Sequence, residues 1–413
     1  MKLSRLFVLL MLAVLVLPVV YAQTAPISEV IAKDIGNLGN GADLDITFTT
    51  DALGKKHQLL IVPTEESFDF DRAMTSEFFL IVFPDTEQFS RTLNMTTKDV
   101  NGDEITEDIE YQVYILVDES DLSEPSTPIT LRNETTVTTL VSQLGAGGGG
   151  MESDADGNIY FSDFGEAQSS RGSVVYRITP DGEVDIFFAT DGLQGASGNA
   201  FDSQGNFFQS SINSNKVLKV TPEGEISFFA EGDLKAPVGI VVDDDDTLYV
   251  TNCQGASIQK ITAEGDSSVF AESSLLSCPN GITMDDDNFY VSNYNNSAVL
   301  KITPDGEVSE FATMPRGTNA HILYRDGLLY VVSRSAYLIY TVTLDGDVEV
   351  FAGSGERGND DGPALEASFN LPNDISFSPD GQVLYVNEVW FGTTLRNYPS
   401  MVRAIIFPRP DDE

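Results

Sequence analysis

The 413-residue chain carries 64 acidic against 23 basic residues, a formal net charge of −41. That surplus repels polyanions and so argues against nucleic acid and anionic lipid as partners. With 41% hydrophobic and only 21% charged residues, the chain is no disordered acidic tail; it has length for two domains and a large core.

In chain order, the first expectation is a signal peptide over residues 1–22. Lys2 and Arg5 form a positive start, Leu6 to Leu17 an apolar run, and Val20-Tyr21-Ala22 a small-residue cleavage site. The run is short for a bilayer span and no later stretch reaches that length, so the mature chain is expected to be secreted or periplasmic, with no membrane span. The only cysteines, Cys253 and Cys278, are an even pair in an exported chain, which suggests a disulfide.

Residues 27–134 read as a small β-sandwich. Leu44 to Thr49, Gln58 to Val62, Phe78 to Phe83, Tyr111 to Val117 and Ile129 to Leu131 are strand-like between polar turns. Tyr111, Val113, Ile115 and Val117 alternate as a half-buried strand should. With Ser126-Thr127-Pro128-Ile129-Thr130-Leu131 following, this order resembles the last two strands of a fibronectin type III domain. That resemblance implies a module that spaces or docks.

From residue 148 the sequence repeats. Aromatic-centred strands recur at Tyr160-Phe161, Phe207-Phe208, Tyr249-Val250, Tyr290-Val291, Tyr330-Val331 and Tyr385-Val386. Turns with glycine in third place end at Gly182, Gly224, Gly265, Gly306 and Gly346, and each precedes a Phe-Ala pair. Those pairs are spaced by 41, 41, 41 and 40 residues, a period that fits propeller blades of four strands, a to d from the centre outward. Five units run from about 148 to 352. A sixth has strands a to c (Ile375 to Phe377, Val383 to Val386, Val402 to Phe407) but lacks strand d. Thr136 to Ser142, just before the first unit, has the spacing of a lone strand d and would close the ring, removing two exposed sheet edges. The expected fold is therefore all-β, a six-bladed β-propeller over residues 136–407 preceded by the sandwich.

Propeller topology puts the d-to-a and b-to-c loops on one face. That channel-mouth face is expected to carry Asn280, Asn373, Asp374, His321, Asn293, Asn252, Glu388 and Trp390 as ligand-binding candidates, and both cysteines in adjacent blades. The acidic turns Asp243 to Asp246 and Asp285 to Asp287 collect on the other face.

Pro279-Asn280-Gly281-Ile282 with its following Tyr-Val-Ser-Asn, and the passage GSGERGNDDGPALEASFNLPNDISFSPDGQVLYVNE at 353–388, resemble the NHL and senescence-marker-protein/gluconolactonase group of six-bladed propellers. Resemblance to the lactonases implies a divalent cation such as calcium or zinc at the channel mouth. Asn280, Asn373 and Asp374 match places in that ligand set. The glutamate expected at the start of the first blade is absent: Gly147 to Gly150 stand there, with Glu152 two residues inward. Metal-dependent lactone hydrolysis is thus the alternative to a binding propeller for a small molecule, carbohydrate or protein. A structural envelope or matrix role is a third reading. His321 raises a further one, since a lyase resembling virginiamycin lyase needs a histidine with acid/base partners; a histidine bonded to backbone is the plainer account.

Other signals point to structure. Asp154-Ala155-Asp156-Gly157-Asn158 opens like a calcium loop but lacks the glutamate at its twelfth place, which favours hairpin chemistry. The glycines around 145–150 lack a P-loop lysine. Trp390-Phe391, with Tyr294 and Phe164 on neighbouring loops, have the rings to stack on a sugar, but loop packing is the commoner use of such aromatics. No Gly-x-Ser-x-Gly elbow appears.

Overall fold

The computed structural model describes residues 27–34, 42–66, 68–84, 86–94, 99–102, 110–126, 129–130, 134–145, 147–165, 172–180, 182–389 and 399–408. The expected signal peptide at 1–22, Leu131 and Trp390-Phe391 lie outside them.

The N-terminal part is built from two small antiparallel sheets. One joins β1 (Ile27–Asp34), β2 (Ala42–Thr50) and β5 (Gln88–Asn94). The other runs β4 (Leu80–Val82), β3 (His57–Pro63), β6 (Glu110–Val117) and β7 (Asp121–Leu122), with β8 (Ile129–Thr130) also paired to β6. Ile46 and Phe48 from the first sheet share one core with Leu59, Ile61, Tyr111, Val113, Ile115 and Val117 from the second. The alternation read in β6 does face this core. The expected strand at 78–83 shortens to Leu80–Val82, preceded by α1 (Phe70–Thr75), whose first turn is capped by Asp69 accepting from Arg72 N. Phe78 and Phe83 remain exposed, since neither sheet reaches over them.

The chain then enters β9 (Thr136–Leu144) and a series of four-stranded sheets. These are β10–β13 (Gly148–Ser153, Ile159–Asp163, Val174–Ile178, Val184–Ala189), β14–β17 (Ala196–Phe201, Phe207–Ser211, Lys216–Val220, Ile226–Glu231) and β18–β21 (Pro237–Val242, Leu248–Asn252, Ser257–Ile261, Ser267–Glu272). Then come β22–β25 (Pro279–Met284, Phe289–Asn293, Ala298–Ile302, Val308–Thr313) and β26–β29 (Asn319–Arg325, Leu328–Ser333, Leu338–Thr343, Val348–Ala352). The last sheet orders β30 (Gly362–Pro363), β9, β33 (Ser400–Ile406), β32 (Val383–Val389) and β31 (Ile375–Phe377). Within it β9 pairs antiparallel with β33, Val141 opposite Val402 and Thr139 opposite Arg403. The first strand of each sheet packs against the first strands of two others: β10 contacts β14, β14 contacts β18, β18 contacts β22, β22 contacts β26, β26 contacts β31 and β31 contacts β10. Sheets arranged this way make a β-propeller.

Local chemistry explains the regularity. Each c-to-d turn begins with a threonine whose Oγ1 accepts from the N–H four residues on, at 3.1 Å for Thr303 and Glu307. Its glycine sits at positive φ, +87° at Gly306, which only glycine adopts without strain. The a-to-b turns are held by an aspartate. Asp154 accepts from Asp156 N, Asn158 N and Tyr160 Oη, and Asp202, Asp243 and Asp285 likewise hold the N–H two residues on. Asp154 is thus engaged in a hairpin. Between sheets, rings interlock, as where Tyr249 and Phe289 centroids lie 4.4 Å apart.

The final sheet contains a fully buried ion pair. Arg403 Nη1 donates to Glu388 Oε1 at 2.6 Å and Nη2 to Asp361 Oδ1 at 2.8 Å. It also reaches the carbonyls of Asp360 and Ser368, so one guanidinium pins the 353–371 loop onto β33. Among the described residues no helix is long and apolar enough to cross a membrane. Removing one member of such a pair strands the other without solvent. Glu388→Ala is therefore expected to lower unfolding free energy by about 3 kcal/mol, read as a drop in the denaturant midpoint.

Candidate functional site

The first strands approach one another around the axis by backbone contact. A Cβ placed on Gly150 would lie 2.7 Å from Gly198 Cα, one on Gly198 2.8 Å from Gly239 Cα, and one on Gly281 2.6 Å from His321 Cα. Gly150, Gly198, Gly239, Gly281, His321 and Asp374 thus occupy corresponding places in their sheets. Four are glycine because no side chain fits. At the last two, His321 and Asp374 carry side chains, and these meet: His321 Nδ1 lies 3.2 Å from Asp374 Oδ1.

This pair stands between two cavities. One of about 220 Å³ opens among the d-to-a and b-to-c loops and is lined by Phe164, Ile212, Val238, Asn280, Tyr294, Arg334, Asn373, His321 and the Cys253–Cys278 disulfide. The other, of about 240 Å³, lies toward the a-to-b turns and is lined by Glu152, Asn199, Thr283, His321 and Asp374 among others. His321 borders both.

Phe164, Ile212, Cys253, Tyr294 and Arg334 each stand one residue past the end of strand b in five successive sheets. Asn252, Asn293 and Glu388, expected at the mouth, are one residue earlier and so turn the other way, as the two-residue strand period requires. All three are buried and spent on holding the d-to-a loop. Asn252 Oδ1 accepts from Lys235 N at 3.0 Å, Asn293 Oδ1 from Ser277 N at 3.1 Å, and Glu388 Oε2 from Asn370 N. These three are corrected from mouth residues to loop anchors. Trp390 is outside the described residues.

Asn280, Asn373, Asp374 and His321 are brought together. Asn280 lines the mouth pocket, and its buried Oδ1 has no hydrogen-bond partner. Asn373 Oδ1 accepts from Arg334 Nη1 at 3.1 Å while its Nδ2 donates to Gly149 O. Asp374 Oδ1 accepts from Ile375 N and Oδ2 from Met151 N, both at 2.8 Å. As folded, the trio Asn280, Asn373 and Asp374 does not fit a divalent cation: a guanidinium touches one oxygen and backbone N–H groups hold two others. Among the described residues no three His, Cys, Asp or Glu side chains are grouped for a metal.

Burial holds the His321 imidazole below its usual range, and the Arg334 charge adds to this. Burial pushes Asp374 up, against the pull of its two backbone donors. Glu152, in the second cavity, is raised to about 7 by burial, offset in part by Ser153 N and Ser376. At neutral pH the histidine is uncharged, leaving Arg334 as the cation of the mouth pocket. The sequence reading missed Arg334 and Tyr294 as a pair; their common place after strand b, recurring every blade, was the signal available.

A propeller with a pocket at its channel mouth is the class these features define. The chain belongs to the virginiamycin B lyase family, which it matches over residues 128–389. No curated protein matches it. Among solved structures it is similar to an auxiliary nutrient binding protein from Bacteroides thetaiotaomicron, at 13% identity and TM-score 0.55, over 92% of this chain and 98% of that one. It is also similar to a gluconolactonase from Xanthomonas campestris, at 15% identity and TM-score 0.51, over 66% and 89%. A catalytically inactive His-to-Ala variant of virginiamycin B lyase from Staphylococcus aureus, with quinupristin, aligns at 17% identity and TM-score 0.47, over 85% and 100%. At these identities the likeness is one of fold.

The raised Glu152 carboxyl makes a signed prediction. An acid whose folded pKa exceeds its unfolded value stabilises the fold below the unfolded value, near 4.5, and loses that contribution as pH rises through about 7. Glu152→Gln, which stays neutral, should gain roughly 3 kcal/mol over the parent between pH 4.5 and 8. Urea melts of both proteins across that range measure the difference; a constant gap would overturn the assignment.

Proposed function

We propose that this chain is an exported six-bladed propeller, with a fibronectin type III-like domain in front, that binds a small ligand in its channel-mouth pocket. The observation that carries the reading is the pocket itself. Successive blades each contribute the residue after strand b, and the result combines aromatic rings, an apolar disulfide wall, an unsatisfied amide oxygen and a guanidinium. An apolar lining with a few convergent polar groups is how small-molecule sites are made. Six sheets in succession and the pairing of β9 with β33 support the blade count. The leader-like start and the disulfide support export. The fold likeness to a nutrient binding protein agrees with binding as the primary role.

A second reading, lyase chemistry, is favoured by one observation besides family membership. The Asp374 carboxyl group orients the His321 ring at Nδ1, and the ring borders the mouth pocket. A neutral imidazole engaged at Nδ1 keeps its other nitrogen as a proton acceptor. A metal-dependent lactone hydrolase needs Asn373 and Asp374 to leave their present partners.

The test is a thermal-shift screen of the purified protein against carbohydrates, amino-acid derivatives and cyclic lactone peptides. It is repeated on Tyr294→Ala, with metal analysis and a chelator arm. Hits that stabilise the parent and fail with Tyr294→Ala are expected. Lactone peptides incubated with protein then go to mass spectrometry. Hydrolysis adds the mass of one water, ring-opening elimination adds none, and an unchanged chromatogram leaves binding alone. Hits unaffected by Tyr294→Ala would move the site elsewhere and sink the proposal.

A further inference from the structure

We infer that the mouth pocket selects ligands bearing a carboxylate or a similarly shaped anion, received by Arg334. This rests on the pocket being the binding site, and adds the charge of what it takes.

Arg334 is half-buried on the pocket wall, immediately after β27. Its Nη1 donates to Leu371 O at 2.9 Å and Asn373 Oδ1 at 3.1 Å, with Pro372 O at 3.5 Å, and the Tyr294 side chain also bonds it. Every one of these partners is uncharged. Among the described residues no carboxylate stands within ion-pair distance of Arg334, in a chain where acids outnumber bases 64 to 23. Arg403, the fully buried guanidinium of the last sheet, takes two carboxylates. A guanidinium removed from bulk water is costly unless its charge is met. An acidic chain that meets one and leaves the other facing a cavity has kept a counter-charge place open.

The surroundings are arranged for the same end. Nη1 is occupied by the Leu371–Asn373 segment, which fixes the plane of the guanidinium, and a planar fork so fixed suits bidentate carboxylate recognition. Asp374 is turned toward Met151 N and Ile375 N. His321 is held neutral and adds no competing charge. Phe164 and Tyr294 flank the pocket and supply apolar surface for the body of the ligand. The predicted class is a small acid with a hydrophobic or aromatic portion.

The experiment uses the full mature chain and matched pairs of probes: benzoate and benzamide, phenylacetate and phenylacetamide, indole-3-acetate and indole-3-acetamide. Binding is followed by titration calorimetry at fixed ionic strength. The acids are expected to bind roughly ten- to hundredfold more tightly than their amides, the usual worth of a charged hydrogen bond out of water. Arg334→Gln should remove that preference, and Arg334→Lys should keep its sign with lower affinity. Amides binding as well as acids would overturn the charge assignment while leaving the pocket as the binding site. If no probe binds but neutral hits from the screen depend on Tyr294, the charge assignment falls in the same way. The parent's acid-to-amide ratio decides the matter even where a variant does not fold.

Discussion

Everything in this propeller depends on how closely its first strands can approach the axis. At Gly150, Gly198, Gly239 and Gly281 the neighbouring backbone stands where a Cβ would be, so those sheets meet main chain to main chain. Hydroxyls one residue past the strand-b midpoint then tie several sheets to the next, as where Thr251 Oγ1 donates to Asn280 O at 2.7 Å and Ser210 Oγ to Val238 O at 2.6 Å. Such contacts fix position as well as adding energy, because a buried hydroxyl without its acceptor is penalised. The rigidity of the mouth pocket follows, since its walls are the first residues beyond these anchored strands.

The same constraint explains why the chemistry is concentrated on one side of the ring. Where glycine gives way to His321 and Asp374, two side chains project into space that glycine leaves open elsewhere. They pair, and burial lowers the pKa of the histidine and raises that of the aspartate. Arg334 is on the same side, bonded to the strand entry that carries Asn373. A buried His–Asp pair next to a charged guanidinium makes an asymmetric cavity inside a nearly symmetric fold. Repetition builds the scaffold, and departures from repetition build the site.

The closing sheet shows a different balance. Its strands come from opposite ends of the propeller, β9 before the first blade and β33 after the last. Joining them brings Arg403, Glu388 and Asp361 into a shared, fully or largely buried network. A buried pair seldom adds stability over an apolar equivalent, yet it tolerates no partner mismatch. Here its geometric demand holds the 353–371 loop against the seam, the one place where chain continuity does not enforce adjacency.

The repeat itself, its turns and its strand order were legible in the sequence, because threonine, aspartate and glycine act locally on their own hairpins and recur at a constant spacing. The alternation of Tyr111 to Val117 was legible for the same reason. The site was legible only in part. Asn280, His321 and Asn373 line the mouth pocket, Asp374 lines only the second cavity, and Asn252, Asn293 and Glu388 stand one residue of strand phase away, enough to reverse a side chain. Arg334 carried no motif. That its charge lacks a carboxylate, that Arg403 has two, and that His321 touches Asp374 depend on segments far apart in the chain, and only packing around the axis determines which of them meet.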